Sequence, residues 1–538
     1  MRDLIRHFFA QFFDTEAISP QGEAEVNITQ ILGFLATPGA FLILILQIRN
    51  FRGWDLAEIR CLFIWFSMVV AGFLVVFEWD ALFPNRRDYQ ILTPLPVSLF
   101  RLFASKAVAF GLFVAMFLVD ANFFSTLLWP AIDNSRSYLA AACAHLLCVM
   151  LGGLFAALSL AGVQGVLLAL LPAAAFRRVS VWMQTTLMFT LVMLLFLSPV
   201  LAPMLQQLIR HHSPWLYAFP PYWFAGLYER LRPAIKSPEL WRLGGVALWG
   251  LAGAAGLFLL TYLPGYRRLA RKMLEAPQPS PKGPARWRRS ISSFVDRRVL
   301  RDPVQSAVFH FMNQTITRSM KHRLFLATYA GCGGALAIAM FRVKSHGMVA
   351  LPLTLSFILI SALRAAFNFP SELGANWAFQ ASESRHARGS LRAMRKWIAI
   401  CALGPLLLAQ AAMEFRFFAW TTALFHLAFG AVVALLLIEI MFVGFRKVPF
   451  TCSYFPGKIN LVFLAVIYVL GFTIYSGTMA SLEEWLAGQS WYAAAFLVPA
   501  LATAALLAYW RDRQAGAESL LEYQDAGDPV VRTLELSA

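Results

Sequence analysis

Charge is what this 538-residue chain has least of: Asp, Glu, Lys and Arg together make 14% of it, against a hydrophobic share of 59%. With a mean hydropathy of +0.62, most of the chain cannot belong to a water-soluble globule. Cysteine is scarce too. The six (Cys61, Cys143, Cys148, Cys332, Cys401 and Cys452) lie in or beside apolar runs and form no C-x-x-C pair, so neither a metal site nor a disulfide framework is indicated; they read as small buried hydrophobes. The nine histidines are scattered and form no H-E-x-x-H. No G-x-x-x-x-G-K-[ST] occurs, and the nearest fragment, Gly457-Lys458-Ile459, lacks the earlier glycine and the hydroxyl needed for magnesium. G-x-S-x-G is missing, as are the alternating strands of about ten residues that build outer-membrane barrels. Residues 1–27 carry charge throughout, without an apolar core and a small-residue cleavage site, so no cleavable signal peptide is expected. No acid pair or histidine cluster forms a catalytic frame. The chain is therefore expected not to be an enzyme, and transport is the leading class.

What the chain does have is long apolar runs. A bilayer core about 30 Å thick needs roughly 20 apolar residues per helix. Twelve runs meet that, at approximately 28–48, 61–78, 107–129, 139–171, 181–203, 243–263, 324–342, 350–369, 397–413, 418–443, 459–479 and 489–510. The expected fold class is an all-α polytopic membrane protein of about 12 transmembrane helices.

The net charge of +17 is sorted rather than spread. With the N-terminus inside, the 46 Lys and Arg divide into about 33 on that side and about 12 opposite, with Arg364 inside a span, which is the positive-inside bias. The block from Arg267 to Arg323 reads as topology and lipid-headgroup contact, and no nucleic-acid partner is expected. Arg49, Arg52 and Arg60, between the first two spans, break the bias.

The chain reads as two six-span halves. Residues 1–27 form an amphipathic helix, with Leu4, Ile5, Phe8, Phe9, Phe12 and Phe13 on one face, and a connector; 28–274 is the first half. Residues 275–290, containing APQPSPKGP, form a Pro-rich basic linker. The second half, 291–510, has its own lead-in helix, with Asp302 as N-cap and Pro303 at N1 and Val304, Ala307, Val308, Phe311, Met312 and Ile316 on one face. A polar tail occupies 511–538. After the second span of each half comes a basic amphipathic loop: Glu78 to Lys106, stiffened by Pro94 and Pro96, and Phe369 to Trp397. Both read as cytoplasmic segments of coupling type, in a duplicated architecture.

Three ionisable residues fall inside spans, where charge is costly and faces protein or water. Asp120 is either a substrate or proton-relay contact or a structural carboxylate near the far interface. Snorkelling accounts for Arg364; a pair with Glu439 is the other reading. Gly152, Gly153, Gly162 and Gly165 predict close packing or a bend in the fourth span. The aromatic segment from His211 to Leu231 reads as an interfacial belt on a re-entrant or surface-lying helix.

The RRDYQILTPLPVS-x-x-LF stretch, PPYWFAGLYE, RDPVQSAVFHF and NFPSELGANWAFQASE together resemble a bacterial family of ATP-binding-cassette permeases related to the type-2 exporters. The resemblance implies a membrane subunit without its own ATPase domain, in a bacterial cytoplasmic membrane with both termini cytoplasmic. Its partners would be separate ATPase subunits that hold ATP and magnesium; this chain would carry no cofactor. By the same resemblance Arg86, Arg87, Asp88, Tyr89, Pro94 and Pro96 would form a first docking element, and Glu372, Asn376, Trp377, Glu383, Arg385 and Arg388 a second. Many type-2 permeases are single halves that dimerise, whereas both halves lie in this chain, so one chain would supply the permease core. The substrate, whether lipid, glycan or small molecule, is not encoded in these motifs. The alternative is a secondary transporter of the major-facilitator type, of whose G-x-x-x-D-x-x-G-R loop Asn85-Arg86-Arg87-Asp88 is at most a fragment. A membrane-embedded transferase or scaffold is the third reading.

Overall fold

The computed structural model describes residues 1–13, 54–79, 98–133, 137–232, 237–275, 295–300, 302–341, 344–371, 373, 376, 377, 379, 387–452, 461–517 and 521. The described residues are mainly helical, without a strand, and contain eleven helices long and apolar enough to cross a membrane. This is an all-α polytopic integral membrane protein. The apolar run 28–48 and the loop 80–97 lie outside the described residues. The chain divides into two compact units, with the change at Pro279–Ser280.

Unit 1 begins with α1 (Arg2–Phe13), whose apolar face packs on α3 (Leu99–Ala121). Phe12 sits 5.7 Å from Phe110 and 5.2 Å from Phe113 between ring centroids, and the Lys106 ammonium lies 5.4 Å from the Phe8 ring. Between them in sequence, α2 (Leu56–Phe77) is the central helix, buried on nearly every side as its all-round apolar character dictates. Asp55 and Glu58 start it with a capping box. The expected span 107–129 is not one helix: it stops at Ala121 and restarts as α4 (Phe123–Ile132). Asn122 makes the break by donating its side-chain amide to Leu118 O, one turn back, and to Ser67 Oγ on α2.

The rest of unit 1 is α5 (Tyr138–Leu170), α6 (Ala173–Leu201), α7 (Met204–Arg210), α8 (Pro220–Leu231) and α9 (Pro238–Glu275). The glycines of α5 serve close packing. A Cβ on Gly165 would stand 2.5 Å from Thr261 Oγ1 and 3.1 Å from the Tyr262 nitrogen on α9. The segment expected as an interfacial belt is only partly one. Trp215 and Tyr217 are exposed, but α8 is packed into the bundle on α2, α5 and α9, with Tyr222, Phe224, Tyr228 and Glu229 buried.

Unit 2 opens with α10 (Pro303–Arg318), capped by the Asp302 carboxylate, which accepts from Val304 N at 3.1 Å. Its buried face carries Gln305, Val308, Phe309, Met312 and Thr315, so it is rotated from the expected stripe, and Ala307 is exposed. The unit's other helices are α11 (Met320–Phe341), α12 (Lys344–Ala366), α13 (Ala387–Trp397), α14 (Gly404–Phe417), α15 (Trp420–Met441), α16 (Leu461–Phe472), α17 (Met479–Leu486) and α18 (Ser490–Ala517), and because α13 with α14 and α16 with α17 each make one continuous apolar helix, six of the eleven candidate spans lie here. Wide π-helical turns at Ile398–Leu403 and Thr473–Thr478 join α13 to α14 and α16 to α17. Such turns rotate the side chains on either side relative to an uninterrupted helix and recur at functional sites.

Candidate functional site

In unit 2, α13 is basic on one face and apolar on the other. Leu391, Ala393, Met394 and Trp397 are buried, while Arg388 and Arg392 are exposed. The helix lies between α10 and α18. On the α10 side, Lys396 donates to Val299 O and to Gln305 Oε1, each at 2.7 Å. On the α18 side, Arg392 Nε meets Asp512 Oδ2 at 2.7 Å, and Arg395 pairs with the other oxygen of the same carboxylate. Arg395 also reaches Glu439 of α15 at 3.5 Å, and Arg511 reaches that carboxylate at 3.0 Å. Three arginines and two acids thus tie the basic helix to two spans. Charge-assisted bonds of this kind are about twice as strong as neutral ones.

Of the expected docking residues, Arg86, Arg87, Asp88, Tyr89, Pro94, Pro96, Glu372, Glu383 and Arg385 lie outside the described residues. Trp377 is 69% exposed and Arg388 is exposed. Asn376 does not share that exposure. It is 3% exposed and donates to Thr451 O at 2.7 Å, as Ser371 N donates to the neighbouring Phe450 O at 2.9 Å. The loop 442–452 turns on Phe450, a fully buried residue at φ +69 whose N–H bonds Phe367 O and whose carbonyl accepts from Ser371 N. A bulky residue in the left-handed region is an outlier held by its surroundings. Phe311, His322 and Phe367 pack around its ring.

The intramembrane residues also find specific places. Arg364 donates to Met441 O at 3.0 Å and lies 4.9 Å from the Phe445 ring, so it caps the C-terminus of α15 and does not pair with Glu439. Glu439 takes Arg395 and Arg511 instead. Asp120 falls in the last turn of α3, half-buried, with Oδ2 lacking a hydrogen-bond partner among the described residues.

Two further polar clusters were not foreseen. In unit 1, Arg60 is 1% exposed and reaches Asp133 at 3.0 Å and Glu229 at 3.5 Å. Its guanidinium lies 4.1 Å from the Tyr228 ring and 5.5 Å from Trp129. Trp129 donates to the Tyr228 hydroxyl at 3.0 Å, which donates onward to Asp133 Oδ2 at 3.1 Å. Burial holds the Tyr228 phenol above the ordinary tyrosine range, so it remains a donor. His145 stacks on Trp129 at 4.9 Å. The signal in the sequence was Arg60 itself, a cation on the wrong side of the charge bias. In unit 2, His426 on α15 pairs with Glu483 on α17 at 2.7 Å, near Glu414 on α14. A histidine and two glutamates within or beside apolar runs were the available signal.

No group of three or more His, Cys, Asp or Glu side chains is arranged to hold a metal among the described residues. Comparison with protein-family models, curated proteins and solved structures finds no match in any of the three. The architecture defines the class, a polytopic helical membrane protein built as two compact units.

Proposed function

We propose that the chain is the permease subunit of an ATP-binding-cassette exporter, moving its substrate with ATP hydrolysed on a separate subunit. One observation carries the reading. The basic amphipathic helix α13 shows Arg388 and Arg392 to solvent while Arg392, Arg395 and Asp512 bind it to the last span. A helical stretch exposed on one side, ion-paired to spans on the other and continuous through a π-helical turn with α14 is suited to pass a partner's rigid-body movement into a bundle. The loop 80–97, basic and amphipathic in sequence, is the proposed counterpart in unit 1, with Arg86, Arg87, Asp88, Tyr89, Pro94 and Pro96 as its docking residues. Glu372, Glu383 and Arg385 extend the second surface beside Trp377 and Arg388. ATP and magnesium belong to the partner, and the chain sits in a bacterial cytoplasmic membrane with both termini inside. Twelve spans result when the run 28–48 is counted with the eleven described helices.

Affinity purification from native membranes tests this. An ATP-binding-cassette ATPase should accompany the protein and be lost from the Arg388→Glu variant or the Arg86→Glu/Arg87→Glu variant. Recovery of both variants with no ATPase at any stage, wild type included, overturns it. A proton-driven carrier is the second reading, favoured by the buried His426–Glu483 pair beside Glu414. It predicts flux driven by a pH gradient without nucleotide.

A further inference from the structure

Three spans of unit 2 bring ionisable groups together at the end of α14 opposite Arg388. His426 Nδ1 lies 2.7 Å from Glu483 Oε1, with the two side chains 4% and 2% exposed. Glu414 is 1% exposed, and neither of its carboxylate oxygens has a hydrogen-bond partner among the described residues. The other charged or titratable groups near them are Glu484, within electrostatic reach of His426, and Tyr475, whose hydroxyl meets Ser356 Oγ at 3.1 Å. Gln410, one turn before Glu414, spends its amide on Pro352 O at 3.2 Å, and Arg416, two residues beyond, is exposed. Phe418 and Phe425 wall the imidazole at 5.2 and 5.9 Å.

The charge count decides what such a place can hold. A protonated imidazole cancels the Glu483 carboxylate. An ionised Glu414 would then stand as an uncompensated charge in an apolar surround, without the donors that make such a group tolerable. Removing that charge takes one proton. We propose that Glu414 is a proton-binding site inside the membrane-spanning part of unit 2, with the His426–Glu483 pair setting the charge it responds to. On binding, an O–H bond forms on the Glu414 carboxylate as one breaks on hydronium, and a water is released. Because Glu414, His426 and Glu483 stand on α14, α15 and α17, the protonation state sets the charge at the meeting of three spans. The inference rests on unit 2 alone and holds whether an ATPase or an ion gradient drives the protein.

The test is infrared difference spectroscopy of the full-length protein in lipid nanodiscs, titrated from about pH 9 to about pH 5, on either side of the ordinary carboxylate and imidazole ranges. Wild type should develop the carbonyl stretch of a buried protonated carboxyl, shifted in D2O, and Glu414→Gln should lose that band entirely. Glu414→Asp should retain it at a displaced frequency, so the assignment holds even if the Gln variant fails to fold. A wild-type spectrum without the band, or a band of undiminished size in Glu414→Gln, or one unmoved in Glu414→Asp, overturns the proposal.

Discussion

The guanidinium of Arg60 lies 3.0 Å from the Asp133 carboxylate, with both side chains under a tenth exposed, so a cation that violates the charge bias of the loops is neutralised inside the protein. Breaking a buried pair by deleting one member leaves the other charge uncompensated and costs about 3–5 kcal/mol. Arg60→Ala, which strands the buried Asp133 and Glu229 carboxylates together, should therefore lower the thermal unfolding midpoint of the detergent-solubilised protein far more than Asp3→Ala, at an exposed position on α1. Equal midpoints would mean that the two acids find their compensation elsewhere.

Backbone meets backbone where α8 crosses α9. A Cβ at Gly226 would collide with the Leu240 carbonyl oxygen and lie 2.8 Å from the Gly244 nitrogen, neither of which can rotate away. Gly226→Ala should cost about 1–3 kcal/mol, the usual range for overpacking. Gly253→Ala, where a Cβ meets nothing within 4 Å, should be neutral or slightly stabilising in the same unfolding assay.

Neighbouring residues 376 and 377 should separate stability from partner binding. Asn376→Ala strands the buried Thr451 carbonyl, costing about 1–3 kcal/mol, and should speed hydrogen exchange and proteolysis around 367–377. Trp377→Ala, at an exposed side chain, should leave stability within about 0.5 kcal/mol while reducing ATPase copurification.

Asp512 receives both Arg392 and Arg395, so Asp512→Asn should weaken the tie between α13 and α18 by about 1.5–3 kcal/mol. The expected signature is transport lost with ATPase copurification retained, since Trp377 and Arg388 keep their exposure. Loss of copurification in parallel would show that the network holds the docking face itself.

Much of this architecture is legible in the sequence. The apolar runs located the described spans, because length and hydropathy are local properties, and Asp302-Pro303 announced α10 because capping needs only neighbours in the chain. Asn122 was missed because its helix break depends on Ser67, a residue of another helix. The same holds for the polar clusters. Arg60 and Asp133 are 73 residues apart and His426 and Glu483 57, and no periodicity connects residues that meet only through packing. Asn376 is assigned to the docking element by resemblance alone, and nothing in its neighbours along the chain shows that it meets the buried Thr451 carbonyl.

On the proposed permease reading, Arg87 and Arg388 both belong to segments reached from the cytoplasm. Cysteine accessibility in sealed inverted and right-side-out vesicles tests it, with Arg87→Cys and Arg388→Cys labelled by a membrane-impermeant maleimide. Both should label only where the cytoplasmic face is exposed. Labelling of the two on opposite faces would contradict the account.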